Sequence, residues 1–200
     1  MFDILAGVLG GAPAGQIANQ VGADSSTVQQ VIAMGLPLLI SALSRNASTQ
    51  QGAESLTNAL QKDHDGSVLG NLPGYVAKPD IQDGEAILGH VLGGQLGDAQ
   101  AGISKASGLN PEVVGKILAM LAPVVLGYLG QQVRSNQLDA SGVGNMVRQE
   151  EQYIEKQPPS ELGQLLGVFL DQNQDGSVAD DAANVGMKML QSWLLGGGSR

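Results

Sequence analysis

An apolar stretch that occurs twice, with a proline at the same place in each copy, constrains this chain more than any other feature. Val28, Ile32, Ala33, Met34, Pro37, Leu39 and Leu43 match Val114, Leu118, Ala119, Met120, Pro123, Val125 and Leu129 at a constant offset of 86. Apolar residues fall nearly all round both stretches, the pattern of a helix enclosed on every side. Each opens behind a residue suited to an N-cap: Asp24 before the first, and Asn110 before the second, followed by Pro111 and Glu112. A proline inside a helix removes one hydrogen bond and crowds the preceding turn, so Pro37 and Pro123 predict a matched pair of kinks in two central, buried helices.

The repeat extends outward from those helices. ILAGVLGG at residues 4–11 recurs as ILGHVLGG at residues 87–94, apolar at helical spacing in both copies. Short, mostly polar helices are predicted over 14–21 and 98–107, each ending at a glycine suited to a C-cap, Gly22 and Gly108. Beyond the first long helix come the polar loop SRNASTQQG and a short helix over 53–60. Pro73, Gly74, Pro79, Asp80 and Asp83 mark residues 73–84 as a turn-rich connector. In the second copy an insertion over 149–160 carries the charged helix RQEEQYIEKQ and the break Pro158-Pro159. Helices over 161–170 and 182–195 follow, the latter with Val185, Met189, Leu190 and Trp193 on one face. Strand signals are almost absent. The expected fold class is all-α: two pseudo-symmetric helical repeats, about 2–72 and 85–195, packed as one domain over 1–200.

Between its last two predicted helices the chain reads Asp171-Gln172-Asn173-Gln174-Asp175-Gly176-Ser177-Val178-Ala179-Asp180-Asp181. Oxygen-bearing side chains at alternate positions, then a glycine, are how an EF-hand-like calcium loop begins, because calcium takes six to eight oxygen ligands. In that reading Asp171, Asn173 and Asp175 ligate through side chains and Ser177 through its carbonyl. Gly176 makes the sharp turn and Val178 is the apolar anchor. Position 12, where a bidentate glutamate belongs, is Ala182, so Asp180 or Asp181 must complete the shell. The D-G-S-V core also occurs at residues 65–68, within Gln61-Lys62-Asp63-His64-Asp65-Gly66-Ser67-Val68-Leu69-Gly70-Asn71. Here Gln61, Asp63, Asp65, Ser67 and Asn71 are the candidate ligands of a weaker second site, with an amide at position 1 and no acid after the glycine. Val68 and Val178 are expected to meet if the two loops pair. The cofactor expected is therefore calcium. His64 is expected to be solvated, and His90 is not expected to ligate, since no cysteine or neighbouring histidine completes a zinc set.

Net charge bounds the partners. Nineteen acids against ten bases give −9, which opposes nonspecific attraction to nucleic acid or an anionic membrane and suits cations. The chain has no cysteine, hence no disulfide framework and no thiolate chemistry. Its 29 glycines lie mostly inside apolar segments, which points to closely approaching helices as much as to loops. Asp3 stands in the first apolar run and no Lys or Arg precedes Arg45, unlike a secretory signal. Uninterrupted apolar runs reach only 13 or 14 residues, against about 20 needed to span a bilayer. The expectation is a cytoplasmic protein without a transmembrane segment.

Taken together, several of these segments resemble the bacterial YidB-like family, a family of unknown function. They are ILAGVLGG, IANQVGADSSTVQQVIAMGLPLLISALSRNAS, LQKDHDGSVLGNL, DGEAILGHVLGG, SGLNPEVVGKILAMLAPVVLGYL and FLDQNQDGSVADD. The resemblance covers nearly the whole chain. It implies an all-helical fold and calcium-loop similarity for the D-x-N-x-D-G segment, and no catalytic residues.

Three function classes compete. Calcium binding, structural or regulatory, is the leading one. Self-assembly into a homo-oligomer, or docking to a protein partner, through the glycine- and alanine-rich helices is the alternative. DNA binding is the third, since residues 17–28 have the alanine-to-glycine spacing of a helix-turn-helix. The would-be recognition helix lacks phosphate-neutralising bases and runs into an apolar stretch, so no nucleic-acid partner is expected. No nucleophile elbow, Walker loop or HExxH pattern supports an enzyme.

Overall fold

The residues expected to start and stop helices do so. In the computed structural model, which describes residues 2–156, Asn110 accepts a hydrogen bond from the Glu112 N–H at 2.9 Å, with Pro111 in the first turn. Asp24 takes the extended N-cap backbone without a side-chain cap bond. Gly22 and Gly108 close their helices in the left-handed conformation, at φ 69° and 73°. In chain order the first half comprises α1 (Phe2–Gly10), α2 (Ala12–Val21), α3 (Ser25–Asn46), α4 (Gln50–Lys62), α5 (Ser67–Gly70) and α6 (Leu72–Ala77). The second comprises α7 (Ile81–Leu92), a 3₁₀ turn (Gly93–Gln95), α8 (Leu96–Ser107), α9 (Pro111–Asn136) and α10 (Ala140–Lys156). Among the described residues there is no strand. The described helices belong to one compact unit.

The two proline-bearing helices are the core. α3 and α9 run on as helices through Pro37 and Pro123 and pack against each other. Leu36, Leu39 and Ile40 from α3, with Ile117, Leu118 and Leu121 from α9, are almost fully excluded from water. A Leu or Ile so buried contributes roughly 1.5–3 kcal/mol from removal of apolar surface. α9 is the more enclosed. It is covered by α7, α4, α8 and α5, while α1, α2 and α10 lie on α3. Both helices are long and apolar enough, by length and composition, to cross a membrane, and 67% and 78% of their apolar windows are buried within the fold.

Proline and glycine cooperate where α7 meets α9. Pro123 has no N–H to give the Ala119 carbonyl one turn back. Gly84 of α7 lies against that carbonyl, so close that a Cβ there would sit 2.0 Å from the oxygen. The freed carbonyl thus faces the Gly84 backbone rather than solvent.

One expectation needs correction. The connector is largely helical: Asn71 accepts from the Gly74 N–H at 3.2 Å, Pro73 fits the first turn, and burial of Leu72 and Val76 holds α6 in place. Tyr75 adds a hydrogen bond to the Met120 carbonyl at 3.2 Å, and burial, with Asp83 and Asp80 nearby, raises its phenol pKa. The charged run before Pro158 is helical, as expected, through Lys156. It is the continuation of α10, which starts behind Asp139, whose carboxylate accepts from the Gly142 N–H at 2.8 Å. Val143, Val147 and Ile154 give α10 its buried edge. Ser41 donates to Glu151 at 2.5 Å and Tyr153 to Asp3 at 2.6 Å, tying α10 to α3 and α1.

Candidate functional site

The first calcium-like loop falls at the join of α4, α5 and α6. α4 ends at Lys62 with Asp63 as its C-cap, and the N–H groups of Asp63 and His64 both bond the Ala59 carbonyl, at 2.9 and 3.1 Å. Gly66 then takes φ 93°, a conformation that side-chain-bearing residues rarely adopt, and turns the chain into α5. Asp65 accepts from the Ser67 N–H at 2.9 Å, the two-residue local bond that aspartate makes in turns. The local geometry is therefore that of an acidic turn between helices.

What seats the turn is the glycine face of α9. A Cβ on Gly130 would lie 1.8 Å from the His64 carbonyl oxygen and 2.9 Å from that of Leu60. A Cβ on Gly127 would lie 2.4 Å from Cγ1 of Val68. Val68, expected to meet Val178, thus has Gly127 beneath it; Val178 lies outside the described residues. His64, expected in solvent, is half-buried, its backbone pressed on Gly130.

Arg134, one turn beyond Gly130, reaches back over the turn. Its Nη1 lies 3.4 Å from Asp65 Oδ2, and its Nη2 donates to the Gln61 carbonyl at 3.2 Å. Hydrogen bonds from the Ser67 hydroxyl and N–H hold the Asp65 carboxyl below its ordinary pKa of 3.8, and the Arg134 charge adds to them. A lowered carboxylate pKa stabilises the fold above the unfolded-state value, and that contribution is lost as pH falls through the lowered value. Both side chains are partly exposed, so the pair itself is weak.

Of the candidate ligands in this loop, Gln61 is in the last turn of α4 and gives its carbonyl to Arg134. Asp63 is an exposed cap, Asp65 is shared between Ser67 and Arg134, Ser67 opens α5, and Asn71 caps α6. Among the described residues no three Asp, Glu, His or Cys side chains come together. Asn71→Ala is expected to cost about 1 kcal/mol, the usual loss for a cap, equally in calcium and in chelator. A loss seen only in calcium, by urea unfolding, would instead mark Asn71 as a ligand. The stronger candidate set, Asp171, Asn173, Asp175, Ser177, Asp180 and Asp181, lies outside the described residues.

Sequence reasoning passed over Arg134. The signal was present only in part: glycines at 127 and 130, one helical turn apart in an otherwise bulky run, mark a face that another backbone can approach.

A polar cleft of about 560 Å³ opens between the starts of α4 and α10. Of its lining residues, Thr49 and Asp139 cap their own helices, Glu54 accepts from Gln50 at 3.0 Å, and Arg148 is the one base. With two acids and one base it favours no anion. The would-be recognition helix of the helix-turn-helix spacing, α3, spends its length in the core and presents only Ser25, Ser26, Gln29 and Gln30 near its start.

No curated protein and no solved structure matches the chain. A family model described as a bacterial protein of unknown function, DUF937, matches residues 3–132, which span α1 to most of α9 and include the acidic turn on its glycine face. The chain therefore belongs to the DUF937 family of bacterial proteins of unknown function.

Proposed function

We propose that this is a non-enzymatic helical protein that binds calcium through residues 171–181, on a scaffold of two related helical copies. The observation that carries the reading is the D-x-N-x-D-G-S spacing, with Asp171, Asn173 and Asp175 as side-chain ligands, Ser177 as a carbonyl ligand and Asp180 or Asp181 closing the shell. The recurrence of short, short, long and following helix, as α1 to α4 and α7, α8, α9 and α10, supports the two-copy, YidB-like organisation. Ala182 at position 12 places affinity on the weak side, in the range of roughly 10⁻⁴ to 10⁻³ M. This suits a structural staple or a module in a calcium-rich setting better than a cytosolic buffer.

Calorimetric titration of chelator-stripped protein tests it, with magnesium as the control. One calcium-binding event is expected, absent in Asp171→Ala, together with a thermal stability that Asp175→Ala lowers in calcium and leaves unchanged in chelator. No heat up to millimolar calcium would remove the calcium reading. Self-association would then lead, for which Ile4 and Val8 on α1, 55% and 45% exposed, are the large apolar side chains open to solvent among the described residues.

A further inference from the structure

We propose that Arg134 is a built-in substitute for a metal ion in the 61–71 turn, its guanidinium taking oxygens that a divalent cation would need and keeping such a cation out. The inference does not depend on residues 171–181. It starts from the mismatch between sequence and contacts: the turn has the D-x-D-G-S-V spacing of a cation loop, yet a cation from its own chain already sits on it. Arg134 Nη1 is 3.4 Å from Asp65 Oδ2, and Nη2 donates to the Gln61 carbonyl at 3.2 Å. The other Asp65 oxygen accepts from the Ser67 N–H at 2.9 Å, and the Asn71 side-chain oxygen accepts from Gly74. His64 turns its carbonyl to Gly130. Asp63 is the remaining carboxylate, and alone it cannot replace the six or more oxygens calcium takes.

Arginine suits this task better than lysine would. It stays charged at every working pH, and its planar fork places separate N–H groups on two acceptors. The position also suits a cation, because Arg134 is in the last turn of α9, where carbonyls accumulate negative charge. A dication entering the turn would meet a fixed positive charge a few ångströms away. Repulsion at that spacing, doubled for a dication, weakens binding by at least about tenfold even in water-like surroundings. Gly127 and Gly130 hold the turn down on α9, so the loop cannot move away from the arginine without losing its seat.

The test reads the turn directly, from the Gly66 and Ser67 amide signals in ¹⁵N spectra of the full chain titrated with calcium to roughly 10 mM, above the range of weak calcium modules. In the unsubstituted protein and in Arg134→Lys both signals are expected to stay in place. In Arg134→Gln they should shift with calcium, and adding Asp65→Asn should abolish the response. Because Arg134 is half-exposed, these variants should keep a dispersed spectrum, and the spectrum itself reports whether they do. Movement of both amides at submillimolar calcium with Arg134 intact would overturn the proposal by making the turn a metal site. Unmoved amides in folded Arg134→Gln would overturn it from the other side, since removing the arginine would then have released nothing.

Discussion

Gly130→Ala is expected to destabilise the helical unit by about 3 kcal/mol, a large share of the 5–15 kcal/mol typical of a domain. The added methyl would lie 1.8 Å from the His64 carbonyl oxygen and 2.9 Å from that of Leu60, and both are main-chain atoms with no rotamer to escape into. Overpacking usually costs 1–3 kcal/mol, more when backbone must shift, and alanine's better helix propensity returns only about 1 kcal/mol. To relieve the clash the 60–66 segment must lift off α9, taking the Arg134 contacts to Asp65 and Gln61 with it. Urea unfolding measures the loss as a lower midpoint at unchanged slope. A change within about 0.5 kcal/mol would show that the turn moves freely on α9.

Leu118→Ala should cost about 3 kcal/mol, within the range for a buried leucine, because Leu118 has no exposed surface and sits at the contact of α3 with α9. The partner position sharpens the expectation. A Cβ on Gly35 would lie 2.6 Å from Cδ2 of Leu118, so Gly35→Ala alone should destabilise despite its helix-propensity gain. With Leu118 already shortened that clash disappears, and the same substitution should stabilise by about 1 kcal/mol. The sign of Gly35→Ala therefore reverses with its background, a coupling of about 2 kcal/mol that a double-mutant cycle in urea measures. Additive effects would mean that Leu118 turns away from Gly35 at no cost.

Periodicity and capping made the helices legible, because both act within a few residues of sequence. Asn110-Pro111-Glu112 fixed the start of α9, Gly22 and Gly108 fixed two ends, and the all-round apolar pattern identified α3 and α9 as the buried pair. Reading failed where tertiary packing overrode turn chemistry. Pro73 and Gly74 signal a loop, but Leu72 and Val76 have a core to bury in, so a six-residue helix forms. The charged part of α10 was legible as a helix, but its start at Ala140 was not, because the buried edge of Val143, Val147 and Ile154 is thin and α3 and α4 receive it. The acidic turn was legible as a pattern of oxygens. Its arginine lies 73 residues from Gln61, and no local rule connects them.

The meeting of Gly84 with the carbonyl freed by Pro123 determines how the second half of the unit can move and change. Side-chain contacts between helices can be re-made by swapping one rotamer or one aliphatic residue for another. Here main-chain atoms meet on both sides, so at this point there is no side chain to repack. Any roll or slide of α7 on α9 has to open this contact. Elsewhere in the core, hydrophobic residues can drift through many combinations of similar volume. At this crossing the addition of a single carbon is enough to forbid the arrangement.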